Sequence, residues 1–374
     1  MHAMYSRVFL PFLKSGLRGL AKTGVVLGIL LCVFSWNHTA RASGPNAPHS
    51  PQGPQEHAQA SDEFDASSVI LHHIADSHDW HLYDHKDEQG LVHPVAIPLP
   101  VLLWCRGGLH AMMSSAFEHG HARPQVGGLT FYMDEHGHIA EASGHKVLDF
   151  SITKNVASML VSVVLLLWIF ISMARSYGRS DQKVPTGLAK FLEPVVLFVR
   201  DDIARANIGE HKYALYLPYL LTAFFFIWIN NLLGLLPTGA NLTGNISVSL
   251  VLATFTLLIT NFSGNKSYWS HILLPPVPKA LWIIMIPVEI ISIFSKPVAL
   301  TIRLFANITA GHIIILSLIS LIFIFKTLAM APVSLAFVLF MECIEMLVAV
   351  LQAYVFTLLS AQFIGMAVAE PEHH

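Results

Sequence analysis

The sequence predicts an all-α polytopic membrane protein with five mature transmembrane segments. They end in a long, steeply tilted C-terminal helical hairpin and are preceded by a small external N-terminal β-containing domain. Three observations carry this. Of 374 residues, 54% are apolar and 12% charged, against about a quarter charged in soluble domains. Apolar runs long enough to cross a bilayer recur after residue 150. The first 156 residues hold 16 of the 21 histidines, so the two parts of the chain face different solvents.

Charge and cysteine content narrow the function classes. Lys+Arg total 22 and Asp+Glu 24, a formal charge of -2, so there is no basic excess for releasing counterions and nucleic acid is not an expected partner. Cys32, Cys105 and Cys343 lie in segments of different character, which assembles neither a disulfide framework nor a cysteine-based zinc site.

At the N-terminus, Arg7, Lys14, Arg18 and Lys22 precede an apolar run from Gly24 to Trp36, followed by the small-x-small pattern Ala40-Arg41-Ala42. This reads as a signal peptide over 1–42, with an uncleaved anchor or a buried helix as alternatives. Residues 43–63, rich in Pro, Gly, Ser and Gln, read as a flexible linker. Residues 64–150 alternate apolar stretches, Val95 to Trp104 and Leu129 to Met133, with Gly- or His-rich breaks, and read as a His-rich external (periplasmic) domain. Its histidines, including His72, His73, His78, His81, His85, His119, His121, His136 and His138, match no zinc spacing. His81 and His85 are placed to share a helical face. The histidines read as solvated or locally hydrogen-bonded, with metal binding or pH sensing as the alternative. No cofactor and no resident metal is assigned.

Residues 151–374 form the membrane domain. Spans are expected at Val156 to Ala174, Tyr213 to Pro237 and Ile246 to Phe262. The basic loop carrying Arg175, Arg179, Lys183, Lys190, Arg200, Arg205 and Lys212 belongs in the cytoplasm, which puts the N-terminal domain outside. Leu188 to Arg205 has helical amphipathic spacing suited to the membrane surface, with a soluble loop helix as the alternative. Apolar sequence then runs from Ala280 to Phe325 and from Pro332 to Ala367, each too long for one upright crossing. Pro297 is a candidate bend. Lys326 to Pro332 is the expected turn of the hairpin, which leaves a cytoplasmic C-terminus.

Ionisable residues inside the hairpin each cost about 2.5–3.5 kcal/mol or more at the bilayer centre, so each asks for a function. The first arm holds Glu289, Lys296, Arg303, Asn307 and His312; the second holds Glu342, Glu345 and Gln352. At about 100° per residue, Glu289, Lys296, Arg303 and Asn307 fall within roughly 60° of each other, and His312 lies about 180° from Arg303. Folding the hairpin about position 328 brings Arg303 level with Gln352 and His312 level with Glu345. Arg303 keeps its proton and suits a fixed barrier charge, whereas His312 and Glu345 can exchange protons. The bland alternatives are an arginine satisfied by phosphate or carbonyls and a structural inter-helix bond.

The segment Ser295-Lys296-Pro297-Val298-Ala299-Leu300-Thr301-Ile302-Arg303-Leu304-Phe305-Ala306-Asn307-Ile308-Thr309-Ala310-Gly311-His312 resembles the signature of subunit a of the F-type ATP synthase membrane sector (ATPase subunit 6 family). Asn231-Leu232-Leu233-Gly234-Leu235-Leu236-Pro237, Glu193, Glu289 and Leu351-Gln352-Ala353 are similar to further family positions, and the resemblance covers about Ile152 to Met366. It implies a non-catalytic, proton-translocating stator subunit with two offset half-channels against a c-ring of small two-helix subunits. Arg303 would match the essential arginine, Asn307 and Gln352 its polar neighbours, Glu289 a cytoplasmic half-channel acid, and His312 and Glu345 the paired outer positions. Some bacterial members carry that acid and histidine in the opposite order. Implied partners are the c-ring, peripheral-stalk b subunits, the remainder of the ATP synthase complex and membrane lipids, at a bacterial cell inner membrane. The first 150 residues depart from the family. No Gly-x-x-x-x-Gly-Lys-Ser/Thr phosphate loop is present. The alternative is a self-contained secondary ion or metal transporter, which should show internal repeats; none is visible.

Overall fold

The computed structural model describes residues 76–369 apart from 87–91, 121, 135–136, 180–186, 237–238, 240–241, 276 and 326–329. The expected signal peptide and linker, and residues 64–75 of the N-terminal domain, lie outside the described residues.

Short alternating stretches form the N-terminal strands. β1 (Asp79–Lys86) pairs antiparallel with β2 (Val92–Pro98). β3 (Pro100–Cys105) lies between β4 (Gly108–Met113) and β8 (Leu148–Asp149). β6 (Leu129–Met133) lies between β5 (Gln125–Val126) and β7 (Ile139–Glu141). Alternation puts Val101, Leu103 and Cys105 on one face, where they meet Phe117, Leu129, Phe131 and Ile139 in a small core. Each fully buried phenylalanine contributes about 1.5–3 kcal/mol. His78, Asp149 and Ser114, buried and polar, are paired. His78 Nε2 lies 2.9 Å from Asp149 Oδ2, and the Ser114 hydroxyl donates to Asp79 Oδ1 at 2.5 Å and accepts from the Leu99 N–H.

This domain is fastened to the first long helix, α1 (Lys154–Arg179). The carbonyl of Ser77 accepts from the Lys154 N–H at 2.8 Å, and Asp76 Oδ1 accepts from the Asn155 N–H at 3.1 Å. A carboxylate and a backbone carbonyl thereby each meet one otherwise unpaired N–H at a helix N-terminus.

α2 (Leu188–Phe198) continues through a π-helical stretch, Val199–Arg205, and a last turn, Ala206–Ile208. Gly209, at φ 93°, lets the chain reverse there. α3 (Tyr213–Gly234) is apolar all round and almost wholly buried, the centre of the helical part. α4 (Ile246–Phe262) is capped by Asn245, which accepts from the Ser247 N–H at 2.9 Å. It turns by 101° into α5 (Lys266–Leu273). The hairpin arms are α6 (Trp282–Phe325), 44 residues and about 66 Å long, and α7 (Met330–Val368).

One core joins α1, α2, α3, α4, α6 and α7, with Phe170 of α1 edge-on to Phe225 of α3 at 5.1 Å. Much of the hairpin surface is apolar and uncovered. Ile283 is 81% exposed and Leu347 69%, a composition that only lipid or another protein can accept. Among the described residues, four helices are long and apolar enough to cross a membrane, and the bent α4–α5 pair makes a fifth candidate. The molecule is mostly helical and polytopic.

Several expectations are corrected. His81 and His85 lie on strand β1 and not on a helix, so four residues cover about 13 Å instead of one turn. α7 already begins at Met330, so Pro332 belongs to its first turn, where a missing N–H costs nothing. The second span ends at Gly234, three residues short of Pro237. The Leu188 to Arg205 helix extends to Ile208 and buries Leu192, Val196, Val199 and Ile203 against the other helices.

Candidate functional site

The chain direction sorts the molecule into two ends. At one end, the last turns of α3 and the residues before α4 meet α7 through Asn231, Thr243 and Ala349. The opposite end carries α2, α5 and both outer ends of the hairpin. There, Lys212 Nζ and Asn265 Nδ2 each donate to the Val368 carbonyl at 2.9 Å, closing the C-terminus of α7.

Near the first of these ends, His312 of α6 and Glu345 of α7 face one another, with Nδ1 and Oε2 3.9 Å apart. Glu345 is 9% exposed. Neither His312 Nδ1 nor Glu345 Oε1 makes a hydrogen bond, although both are buried, and such atoms are where water or a transferred proton is held. Gly311 makes the approach possible, because a Cβ at that position would collide with the Glu345 carboxylate. The surrounding frame is polar. Asn231 Nδ2 donates to the Ala349 carbonyl at 3.3 Å and Asn231 Oδ1 accepts from Thr243 Oγ1 at 2.6 Å. Thr309 Oγ1 donates to the Gly244 carbonyl at 3.4 Å. The loop after α3 is thus tied over the pair, and the equal-depth expectation for His312 and Glu345 corresponds to a contact.

The other sequence-derived residues are not gathered with them. Arg303 and Asn307 lie on the exposed face of α6. Arg303 makes no hydrogen bond or ion pair among the described residues, while Gln352 is 3% exposed, inside the helix packing. The two do not bond to each other. Glu289, half-buried near the start of α6, stands within electrostatic reach of Lys296 and Tyr268. The Lys296 ammonium lies 5.2 Å from the Phe363 ring centroid of α7. A narrow crevice beside it is lined by Thr256, Thr260, Asn261, Tyr268 and Lys296. Its inner wall continues into a chain of hydroxyls, Tyr219 to Thr256 at 2.7 Å and Thr256 to Ser360 at 3.0 Å. Sequence reading missed this chain, as well as Gly311 and Asn231 as positioning residues; Gly311 and Asn231 sit inside the quoted motifs, whereas single hydroxyls in apolar helices carry no spacing signal.

Among the described residues, no three His, Cys, Asp or Glu side chains converge to hold a metal ion.

Comparison with known proteins accounts for both parts of the chain. The family described as ATP synthase A chain matches residues 156–365, and a domain of unknown function, DUF8433, matches residues 69–158. ATP synthase subunit a of Chloroherpeton thalassium is 50% identical over 231 residues, 60% of this chain and 69% of the relative. The subunit a of Chlorobium phaeobacteroides (strain DSM 266) is 46% identical over 68% of this chain and 79% of the relative. That of Anaeromyxobacter sp. (strain Fw109-5) is 39% identical over 84% of this chain and 74% of the relative. With more than half of its length matched by the family, the chain belongs to the ATP synthase A chain family.

Proposed function

We propose that this membrane subunit, which is non-catalytic and belongs to the ATP synthase complex with its c-ring, conducts protons through two offset half-channels separated by Arg303. His312 and Glu345 form the proton-exchanging step of the half-channel on the β-domain side. Glu289 serves the opposite half-channel, beside Lys296. Asn307 and Gln352 flank Arg303, which presents a permanent positive charge on the exposed face of α6, toward the ring. A carboxylate of the ring arriving there is driven to give up its proton, and the guanidinium, which cannot lose its own, blocks a direct path between the half-channels.

The observation that carries this reading is the separation of roles along one helix. The titratable pair is turned inward against α7, and the fixed charge is turned outward about half a helical circumference away. The densely basic end, with Arg175, Lys190, Arg200, Arg205 and Lys212, supports placing α2 and the C-terminus in the cytoplasm and the β domain in the periplasm of a bacterial inner membrane. The uncovered apolar faces suit lipids and the peripheral-stalk b subunits, besides the ring. In vesicles carrying the complete complex, His312→Ala and Glu345→Gln should each abolish ATP-driven acidification while the ring still co-purifies. Acidification at the parental rate in both variants would refute the assignment of this half-channel.

A further inference from the structure

Glu342 and Glu345 are the two charged residues of α7, which is 39 residues long, and the proposed half-channel uses only the second. Glu345 is 9% exposed. Its Oε1 lies against Gly311 of α6, buried and without a hydrogen-bond partner. Glu342, one turn nearer the start of α7, is half-buried and makes no hydrogen bond or ion pair among the described residues. Residues three apart on a helix are neighbours, with Cβ atoms about 5–6 Å apart. Their Cα–Cβ bonds tilt toward the helix N-terminus, so Glu345 leans over the turn that carries Glu342. At about 100° per residue the two stand roughly 60° apart around the axis, Glu345 inside the contact between α6 and α7 and Glu342 toward its rim. The residues around that rim are apolar, and Leu339, Phe340 and Leu347 are 60%, 61% and 69% exposed. An ionisable group in a membrane span faces the bundle interior or a water-filled cavity, and a half-buried carboxylate at the rim of such a contact joins the two.

We propose that Glu342 is the relay through which the buried pair exchanges protons with water, one helical turn along α7 toward the hairpin turn. The inference rests on the half-channel reading of His312 and Glu345. Exposure is graded along the route, from half-buried Glu342 to buried Glu345, whose carboxylate faces the imidazole at 3.9 Å. The inner end has room in its bonding for a proton or a water, because neither Glu345 Oε1 nor His312 Nδ1 has a hydrogen-bond partner. The facing stretch of α6, from Leu304 to Phe325, contributes no titratable side chain besides His312. In the loading direction the Glu342 O–H gives its proton to a Glu345 carboxylate oxygen, directly or across one water, a distance that neighbours on adjacent turns satisfy. The Glu342 carboxylate so formed takes a proton back from water. One O–H bond breaks and one forms at each transfer, and ATP-driven pumping runs the same transfers in reverse.

The test uses vesicles carrying the complete complex and follows the initial rate of ATP-driven acidification in H2O and in D2O. Glu342→Gln keeps the shape and polarity of the side chain but cannot pass a proton on. Its rate should fall at least about 10-fold, toward the roughly 10²–10⁴-fold typical of a lost proton-transfer group. Glu342→Asp keeps the acid on a shorter stem. It should pump faster than Glu342→Gln and slower than the parent, with a larger H2O/D2O rate ratio than the parent. A packing role would give the opposite order, because glutamine is the closer match in volume. A parental rate in Glu342→Gln, or a Glu342→Asp variant no faster than Glu342→Gln, overturns the proposal. If Glu342→Gln does not assemble with the ring, Glu342→Asp decides: a raised isotope ratio supports the relay and a parental ratio overturns it. Glu345→Gln separates the layers. Its pumping at the parental rate would remove the half-channel reading itself, whereas its inactivity beside a Glu342→Gln variant of parental rate removes only the relay.

Discussion

The Glu345 carboxylate occupies the volume that a side chain on Gly311 would need. A Cβ there would stand 2.8 Å from Glu345 Cδ and closer still to Oε1. The residue before His312 is therefore what lets α7 bring its acid to within 3.9 Å of the imidazole.

Gly311→Ala should displace that carboxylate and lower ATP-driven proton pumping on the order of 10- to 100-fold, as misplacement of a reacting group by about 1 Å does. Helix propensity would rise by about 1 kcal/mol at the same site, so a loss of pumping with undiminished thermal stability is the expected signature. Parental pumping would show that the spacing of the pair is not critical.

Exchanging the pair, His312→Glu together with Glu345→His, keeps one acid and one imidazole at the same level. The double variant should pump faster than either single loss, His312→Ala or Glu345→Ala, when initial rates of vesicle acidification are compared. A double variant as inactive as the singles would mean that each position requires its own residue.

Folding the hairpin on paper gives depth along the helices but not the direction in which each side chain points. For His312 and Glu345 both depth and facing direction agree, and the two meet. Arg303 is level with Gln352 yet exposed where Gln352 is buried, because half a helical circumference separates it from the inward-facing His312. The same limit explains what was legible elsewhere. Span identity followed from composition, and β6 over Leu129–Met133 followed from an apolar run bounded by turns. The end of α4 at Phe262 is legible from the Ser263-Gly264-Asn265 break, whereas the 101° angle at which the chain continues into α5 is not.

The β domain should lose stability in acid. Burial pushes the Asp149 carboxyl upward, but the His78 hydrogen bond, the charge of His78 and the bonds from Ser151 outweigh it and hold the group below its ordinary value of 3.8. Glu141 is affected by burial in the same upward sense, yet bonds from His145 and Ser143 push it down to about 2. A depressed folded value means a stabilising contribution that is complete above the unfolded value and disappears as pH falls through the folded one. Hydrogen exchange of β3, β7 and β8 should therefore be constant from neutral pH to about 5 and accelerate below about 4, after correction for intrinsic exchange. Asp149→Asn should remove part of that dependence. Protection that grew on acidification would contradict the sign.

At the opposite end, a Cβ on Gly365 of α7 would press on the backbone carbonyl of Asn207, 3.0 Å from its carbon. Backbone cannot swing aside as a side chain can, so Gly365→Ala should lower the thermal midpoint of the purified subunit in detergent by several degrees, consistent with overpacking costs of about 1–3 kcal/mol. An unchanged midpoint would indicate that α7 and the Ala206–Ile208 turn separate easily.

The most direct test of the barrier is Arg303→Ala in vesicles containing the assembled complex, with ATP-driven acidification and passive proton leak measured on the same preparation. Coupled pumping is expected to vanish and passive leak to rise, with the ring still bound. Sustained ATP-driven pumping without the guanidinium would contradict the account at its centre.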